Sequence, residues 1–256
     1  MYVDFDSTSQ PVFDPDRAGA PDLYQGVHKG IRNALQANLL RLGQLDVHDP
    51  AEIAAAFAEL EDLLDWLQDH LRIEETFLHA AIEQRRPQQL PSQARQDHEH
   101  HRRDLAILLN DCLALRESTT LPVSARQALA RRLHLSFARF VGENLVHMTM
   151  EETQMNATLW ALFSDEELHL IHARIMTSEA PKQLARATRW MLPALNPDER
   201  AAIVIEARAT IDPAIFGVLL AQMKTLLSPR DVEKLEAALA RSDAGATRGS
   251  MESQMV

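Results

Sequence analysis

Residues 69–83 read DHLRIEETFLHAAIE, and residues 146–160 read VHMTMEETQMNATLW. Both carry His-x-x-x-Glu-Glu-Thr within helical apolar spacing. In an α-helix, residues four apart are turned by only about 40° from each other. His70 and Glu74 therefore face one way, as do His147 and Glu151. Leu60, Leu64 and Leu67 lead up to His70, while Phe137 and Phe140 lead to Glu143, Asn144 and His147. The ionisable groups continue an apolar stripe and so belong to the face that packs inward. An unpaired charge there costs several kcal/mol or is neutralised by a pKa shift. Something must compensate it.

The surrounding chain supplies two more rods. Val27, Ile31, Leu35, Leu39 and Leu42 recur every three or four residues and predict a first helix from about Asp22 to Leu45. Asp49 before Pro50 is an N-cap followed by an N1 proline and opens the second helix, which stops near Pro87. Pro91 and Ser92 open the third, and the fourth runs from about Val123 to Trp160. His28 falls on the Ile31–Leu35 face of the first helix, and His98 on the Ala94–Leu105 face of the third. Each of four helices thus aims a histidine inward, and two add a glutamate. The candidate metal ligands are His28, His70, Glu74, His98, His147 and Glu151. Imidazole with carboxylate suits iron, manganese or zinc, and paired metals in four-helix bundles are built from such glutamate–histidine motifs. A single inward histidine is most often a satisfied core residue, and a single His-x-x-x-Glu pair is common on surfaces. The four-helix combination is what separates this chain from either case.

Four long helices with short polar loops predict an all-α, antiparallel up-down four-helix bundle over residues 21–163. An irregular arm is expected over residues 1–20. Capping patterns at Ser164–Glu167 and Asn196–Glu199, and Ser228-Pro229, predict shorter helices over 164–241. Residues 242–256 lack periodicity and are expected to be disordered. The first and third helices share no counterpart of the repeated motif, so the pattern reads as local pseudo-symmetry and not as a solenoid.

Composition narrows the function. Glycine is scarce at 8 residues, and the helix formers Ala, Leu, Glu, Arg and Gln abound, which suits an all-helical chain. A net charge of −11 disfavours nucleic-acid binding, and the arginines at 84–86 and 131–132 read as solvated faces. No run of 18 apolar residues and no apolar leader are present, so neither a membrane span nor a secretory signal is expected. The single cysteine, Cys112, excludes an internal disulfide and fits a reducing cytoplasm.

The order His, His-x-x-x-Glu, His, His-x-x-x-Glu resembles the hemerythrin-like, or HHE cation-binding, domain in its bacterial form. It is carried by His28, HLRIEE at 70–75, DHEHH at 97–101 and HMTMEE at 147–152. EETFLHAAIE and EETQMNATLWALFSDEEL also look like that family, and RWMLPALNPDERAAI resembles a C-terminal helical extension of its bacterial members. The similarity covers roughly residues 20–165. It implies two non-haem iron ions (Fe2+/Fe3+) bridged by carboxylates and by an oxo or hydroxo group, with manganese or zinc as alternatives. Members bind dioxygen, sense oxygen or iron, or act on peroxide and nitric oxide. The oxygen-carrier branch has a second histidine four residues after the first on the third helix, where this chain has Arg102, with His101 one place earlier. That branch also spaces its last carboxylate to select Glu152. His101, Glu75 and Glu152 are therefore reserve ligands.

Tyr24 and Glu143, each four residues before an inward histidine, are candidate proton relays or ligand-supporting groups, with a bundle-end position in contact with water as the alternative. Leu67, Ile73, Phe77 and Phe140 are expected to wall the site. Trp66 is expected in the core, His48 in a loop, and His79 about 180° round the helix from His70, facing away from the site; His100, His134, His169 and His172 have no matching partners. Three classes remain: a carrier or sensor of a small molecule such as O2, a di-iron enzyme, or a structural bundle with a homodimer surface on the C-terminal helices.

Overall fold

The computed structural model describes residues 19–87 and 92–253, and every long regular element among them is helical. Helix α1 spans Gln25–Gln44 and α2 spans Pro50–Ile73. A π-helical segment, Glu74–His79, joins α2 to α3 (Ala80–Arg85). Helix α4 (Ser92–Arg116) is followed by a 3₁₀ turn, Glu117–Thr120, and by α5 (Val123–Met150). A second π segment, Glu151–Met155, leads into α6 (Asn156–Leu162). Helices α7 (Asp165–Ser178), α8 (Pro181–Ala194), α9 (Pro197–Thr210), α10 (Pro213–Thr225) and α11 (Pro229–Ser253) complete the chain. The expected arm falls largely on residues 1–18, outside the described residues. The expected tail is helical as far as Ser253, where α11 ends.

The local signals act as their chemistry requires. Asp49 accepts from the backbone N–H groups of Ala51 and Glu52, relieving two of the unpaired donors at the start of α2. Reciprocal Ser164–Glu167 and Asn196–Glu199 boxes open α7 and α9. No helix among the described residues is long and apolar enough to cross a membrane.

Helix α1 packs on α2, α2 on α4, α4 on α5, and α5 on α1. Inside this ring lie two apolar clusters. One contains Ile31, Leu67, Leu105 and Phe140, and the other contains Tyr24, Leu78, Ala94 and Met155. On every one of the four rods the inward His or Glu residues fall between members of the two clusters. The polar groups therefore form a layer that divides the interior.

The C-terminal helices are fastened to this ring. Helix α8 lies along α1, where Asn33 donates to the Trp190 carbonyl at 3.1 Å and Trp190 joins the first cluster. Arg186 donates to Asp69, the residue before His70, at 2.8 Å. Beyond it Leu192, Val204, Phe216 and Leu235 form a third cluster. The close approach of α8 depends on Gly30: a Cβ there would lie 2.6 Å from Met191 Cγ and 3.0 Å from its backbone nitrogen. In an exposed helix, Gly→Ala gains about 1 kcal/mol. Gly30→Ala is instead expected to lower stability by about 1–3 kcal/mol, because helix α8 must move. Thermal or denaturant unfolding checks this, and a stabilised variant would contradict the packing.

Candidate metal centre

All six residues expected as ligands converge. His28, His70, Glu74 and Glu151 form one group of donors, and Glu74, His98, His147 and Glu151 form the other, with the atoms of each group within 4.8 Å of one another. The two carboxylates are shared. Glu74 Oε1 lies 3.5 Å from His28 Nε2 and 3.1 Å from His70 Nε2, while its Oε2 lies 3.4 Å from His98 Nε2. Glu151 Oε1 lies 3.4 Å from His98 Nε2 and 3.2 Å from His147 Nε2, and its Oε2 lies 3.5 Å from His28 Nε2. Each carboxylate thus offers one oxygen to each group.

The residues are buried between 0 and 7 % exposure. Nε2 of His28, His70 and His147, both oxygens of Glu74, and Oε2 of Glu151 have no hydrogen-bond partner. Leaving so many buried polar atoms unpaired costs about 1–3 kcal/mol each, more for charged ones. They point at common centres, so cations satisfy them together. The buried His/Glu cluster is able to hold metal.

A second ring of contacts orients the imidazoles. His28 Nδ1 lies 3.1 Å from Glu152 Oε1, and Glu152 also accepts from Arg32. His98 Nδ1 lies 3.0 Å from Glu75 Oε1, and Glu75 also accepts from Arg102. Asp97 Oδ2 lies 3.4 Å from His147 Nδ1. At His28 and His98 the carboxylate is within hydrogen-bond reach of Nδ1, holds the proton there and leaves Nε2 free as a ligand, whereas Asp97 acts on His147 through charge alone. Glu75 and Glu152, read from the sequence as reserve ligands, fall outside both donor groups and occupy these outer positions. The first and third helices carry no copy of the repeated His-x-x-x-Glu-Glu motif, but they have a pattern of their own. They share His-x-x-x-Arg, His28/Arg32 and His98/Arg102, and each arginine grips the outer glutamate of a neighbouring rod.

Two π segments coincide with this division. They begin at Glu74 and Glu151, the first glutamate of each repeat. Within the second segment, Thr153 Oγ1 donates to the carbonyls of Thr149 and Met150. In a regular α-helix the fifth residue on is turned by about 140°; in a π-turn it returns near the first. His79 and Asn156, five after Glu74 and Glu151, are both buried. His79, read from straight-helix geometry as facing away, instead stacks on His98 with ring centroids 4.9 Å apart. The π-turn is the reason for that correction.

Tyr24 is fully buried, its hydroxyl has no partner, and its ring centroid is 5.4 Å from that of His28. Burial and the charges of Glu151 and Glu74 raise its pKa well above the ordinary value, so it stays a phenol. Glu143 turns away from the centre towards His100 and Arg139. His101 belongs to neither donor group. It is buried, with Nδ1 unpaired and its ring 4.7 Å from that of His147. With Leu67, His70, Leu105, Phe140 and His147 it lines a cavity of about 10 Å³. Leu67 and Phe140 wall that cavity as expected. Ile73 and Phe77 do not; Phe77 packs in the second apolar cluster, under Arg174. Trp66 is in the core.

Electrostatics divides the histidines. Burial opposes the charge on His28, but the hydrogen bond to Glu152 and the negative charges of Glu74 and Glu151 raise its pKa to about 9. Burial likewise opposes His147, yet Glu151 and Asp97 raise it to about 10. His70 is pushed down to about 4, chiefly by burial, and His101 to about 3 by burial and by His147. Glu151 is held well below the carboxylate range despite its burial, by His147, His98 and His28.

No protein-family model matches the chain, and no curated protein or solved structure gives a significant match.

At about pH 7.5 the metal-free protein carries protons on both His28 and His147, since both pKa values are raised above that pH. Ligation through Nε2 must displace them. Against the effect of burial, the pKa of His98 is raised as well, by Glu151 and Glu74, so metal binding is expected to release at least two protons per chain. Calorimetry of Zn2+ binding in buffers of different ionisation enthalpy measures the number, and heats independent of the buffer would refute the assignment.

Proposed function

We propose that this chain is a hemerythrin-like non-haem di-iron protein that binds or senses dioxygen, or reports iron and redox state, inside an antiparallel four-helix bundle. One observation carries the reading: two donor groups from four rods share Glu74 and Glu151, one oxygen of each carboxylate to each group. That is the donor set of a carboxylate-bridged pair of ions. The alternating order of the two apolar clusters along the rods supports an up-down arrangement. Tyr24 precedes His28 and Ile31 on α1, while Leu67 precedes His70 and Leu78 along α2. Ala94 precedes His98 and Leu105 on α4, and Phe140 precedes His147 and Met155 along α5.

His28, His70, Glu74 and Glu151 would hold one ion, and His98, His147, Glu74 and Glu151 the other. Mixed imidazole and carboxylate donors suit iron, with manganese or zinc as competitors. A ferrous pair supplies two electrons to a small oxidant. The chain's own contribution is placement and dryness. Glu152 and Glu75 fix the imidazoles of His28 and His98, and Ile31, Leu67, Leu105 and Phe140 form the apolar wall of the cavity beside His70 and His147. A cavity of about 10 Å³ is near the lower limit for one water, which favours a diatomic ligand over an organic substrate.

A second reading, a di-iron oxidase or peroxidase acting on O2, peroxide, nitric oxide or a small molecule, draws on His101. Its unpaired nitrogen in the cavity region is placed to exchange a proton. Residues 21–163 would form the metal-binding unit and 164–241 a brace for it.

Protein expressed with iron available is expected to carry about two irons per chain, and His70→Ala or Glu151→Ala less than half of that, with helical content retained by circular dichroism. Unchanged iron in either variant would remove that residue from the ligand set and count against the assignment. Anaerobically reduced protein exposed to oxygen then separates the readings: an absorption band that disappears when oxygen is removed supports binding, and steady oxidant consumption supports catalysis.

A further inference from the structure

A separate cluster lies on the outer faces of α4 and α5. His100 and Asp104 stand one turn apart on α4, and Glu143 faces them from α5, with donor atoms within 4.8 Å of one another. Arg139 donates to Asp104 Oδ1 at 2.8 Å and lies 3.7 Å from Glu143 Oε1. The other oxygens, Asp104 Oδ2 and Glu143 Oε2, each lie 3.3 Å from His100 Nε2. One imidazole proton cannot serve both. The geometry gives that hydrogen bond to Glu143 and leaves Asp104 Oδ2 with none. Asp104 is only 4 % exposed, so water does not readily replace the missing donor.

A cation removes the conflict. If His100 carries its proton on Nδ1, its Nε2 lone pair joins the two carboxylate oxygens as three donors around one point. Two carboxylates against Arg139 leave a net negative charge for it to neutralise. One imidazole and two carboxylates suit a divalent first-row ion such as Mn2+, Fe2+ or Zn2+. Sequence reading gave His100 no partner because Glu143 comes from a different helix and Asp104 gains its meaning only when buried.

We propose that His100, Asp104 and Glu143 form a second, solvent-facing site for one divalent transition-metal ion, through which ions reach the buried centre. The His100 side chain is 45 % exposed, so water completes the coordination and the ion exchanges with solution. His100 neighbours His101, with centroids 6.4 Å apart, and His101 lies 4.7 Å from His147. This file of imidazoles runs from the surface to a ligand of the enclosed centre. The loading role rests on the di-iron reading of that centre; the outer site does not.

The test titrates the metal-free full-length chain with Zn2+ by calorimetry. The wild type is expected to show a tight class and a weaker one. His100→Ala, a change at a largely exposed side chain, and Glu143→Gln should weaken the second class by at least about tenfold while keeping the first. His70→Ala should do the reverse. Isotherms of His100→Ala and Glu143→Gln identical to wild type would overturn the outer site. A normal loss of the weak class in His100→Ala, with His70→Ala unchanged from wild type, would instead remove the buried centre and leave the outer site standing. Stopped-flow Fe2+ uptake tests loading: slower filling of the buried centre in His100→Ala supports it, and an unchanged rate overturns it.

Discussion

Six ionisable side chains buried in one layer between two apolar clusters set the terms for the rest of this protein. Removing charge from water is costly, and pairing with opposite charge repays it only where the remaining lone pairs and protons are also used. Glu74 and Glu151 repel each other, and the imidazoles around them offset that repulsion. The compensation extends outwards: His28 leans on Glu152 and Arg32, and His98 on Glu75 and Arg102. Charges therefore alternate from the centre to the surface along two routes. Even so, Nε2 of His28, His70 and His147 stays unpaired. The protein alone does not complete the network, and cations held between the two donor groups would.

The layer also explains departures from regular helix. Two adjacent glutamates on an α-helix diverge by about 100°, so the pair has to be parted around the rod. One reaches the centre and its neighbour reaches the imidazole of an adjacent rod. The π segments open where that parting happens, at Glu74 and at Glu151. Such single-turn bulges gather at functional positions because they re-aim side chains at a cost the surrounding packing must bear. Here they also carry His79 and Asn156 inward beneath the centre.

The helices after residue 164 brace the layer from outside. Arg186 holds Asp69 beside His70, Lys29 beside His28 pairs with Glu199, and Met191 sits against Gly30. Each contact adjoins a turn that presents one of the buried donors. Rotation of α1 or α2, which would swing His28 or His70 away, has to disturb α8 and α9 as well.

The sequence by itself determined the all-helical class, the caps at Asp49, Ser164 and Asn196, and the inward set of six, because apolar period and i, i+4 geometry are local properties. His101 and Glu143 were also visible as candidates, though not where they would sit. Only the tertiary structure decided that Glu74 and Glu151 are shared by two donor groups, since that depends on rods meeting across the interior. It alone placed Glu75 and Glu152 outside with Arg102 and Arg32, turned His79 inward through a π-turn, and gave His100 its partners. Those outcomes join residues on different helices or depend on a change of helical pitch, and a periodicity read along one straight rod contains neither.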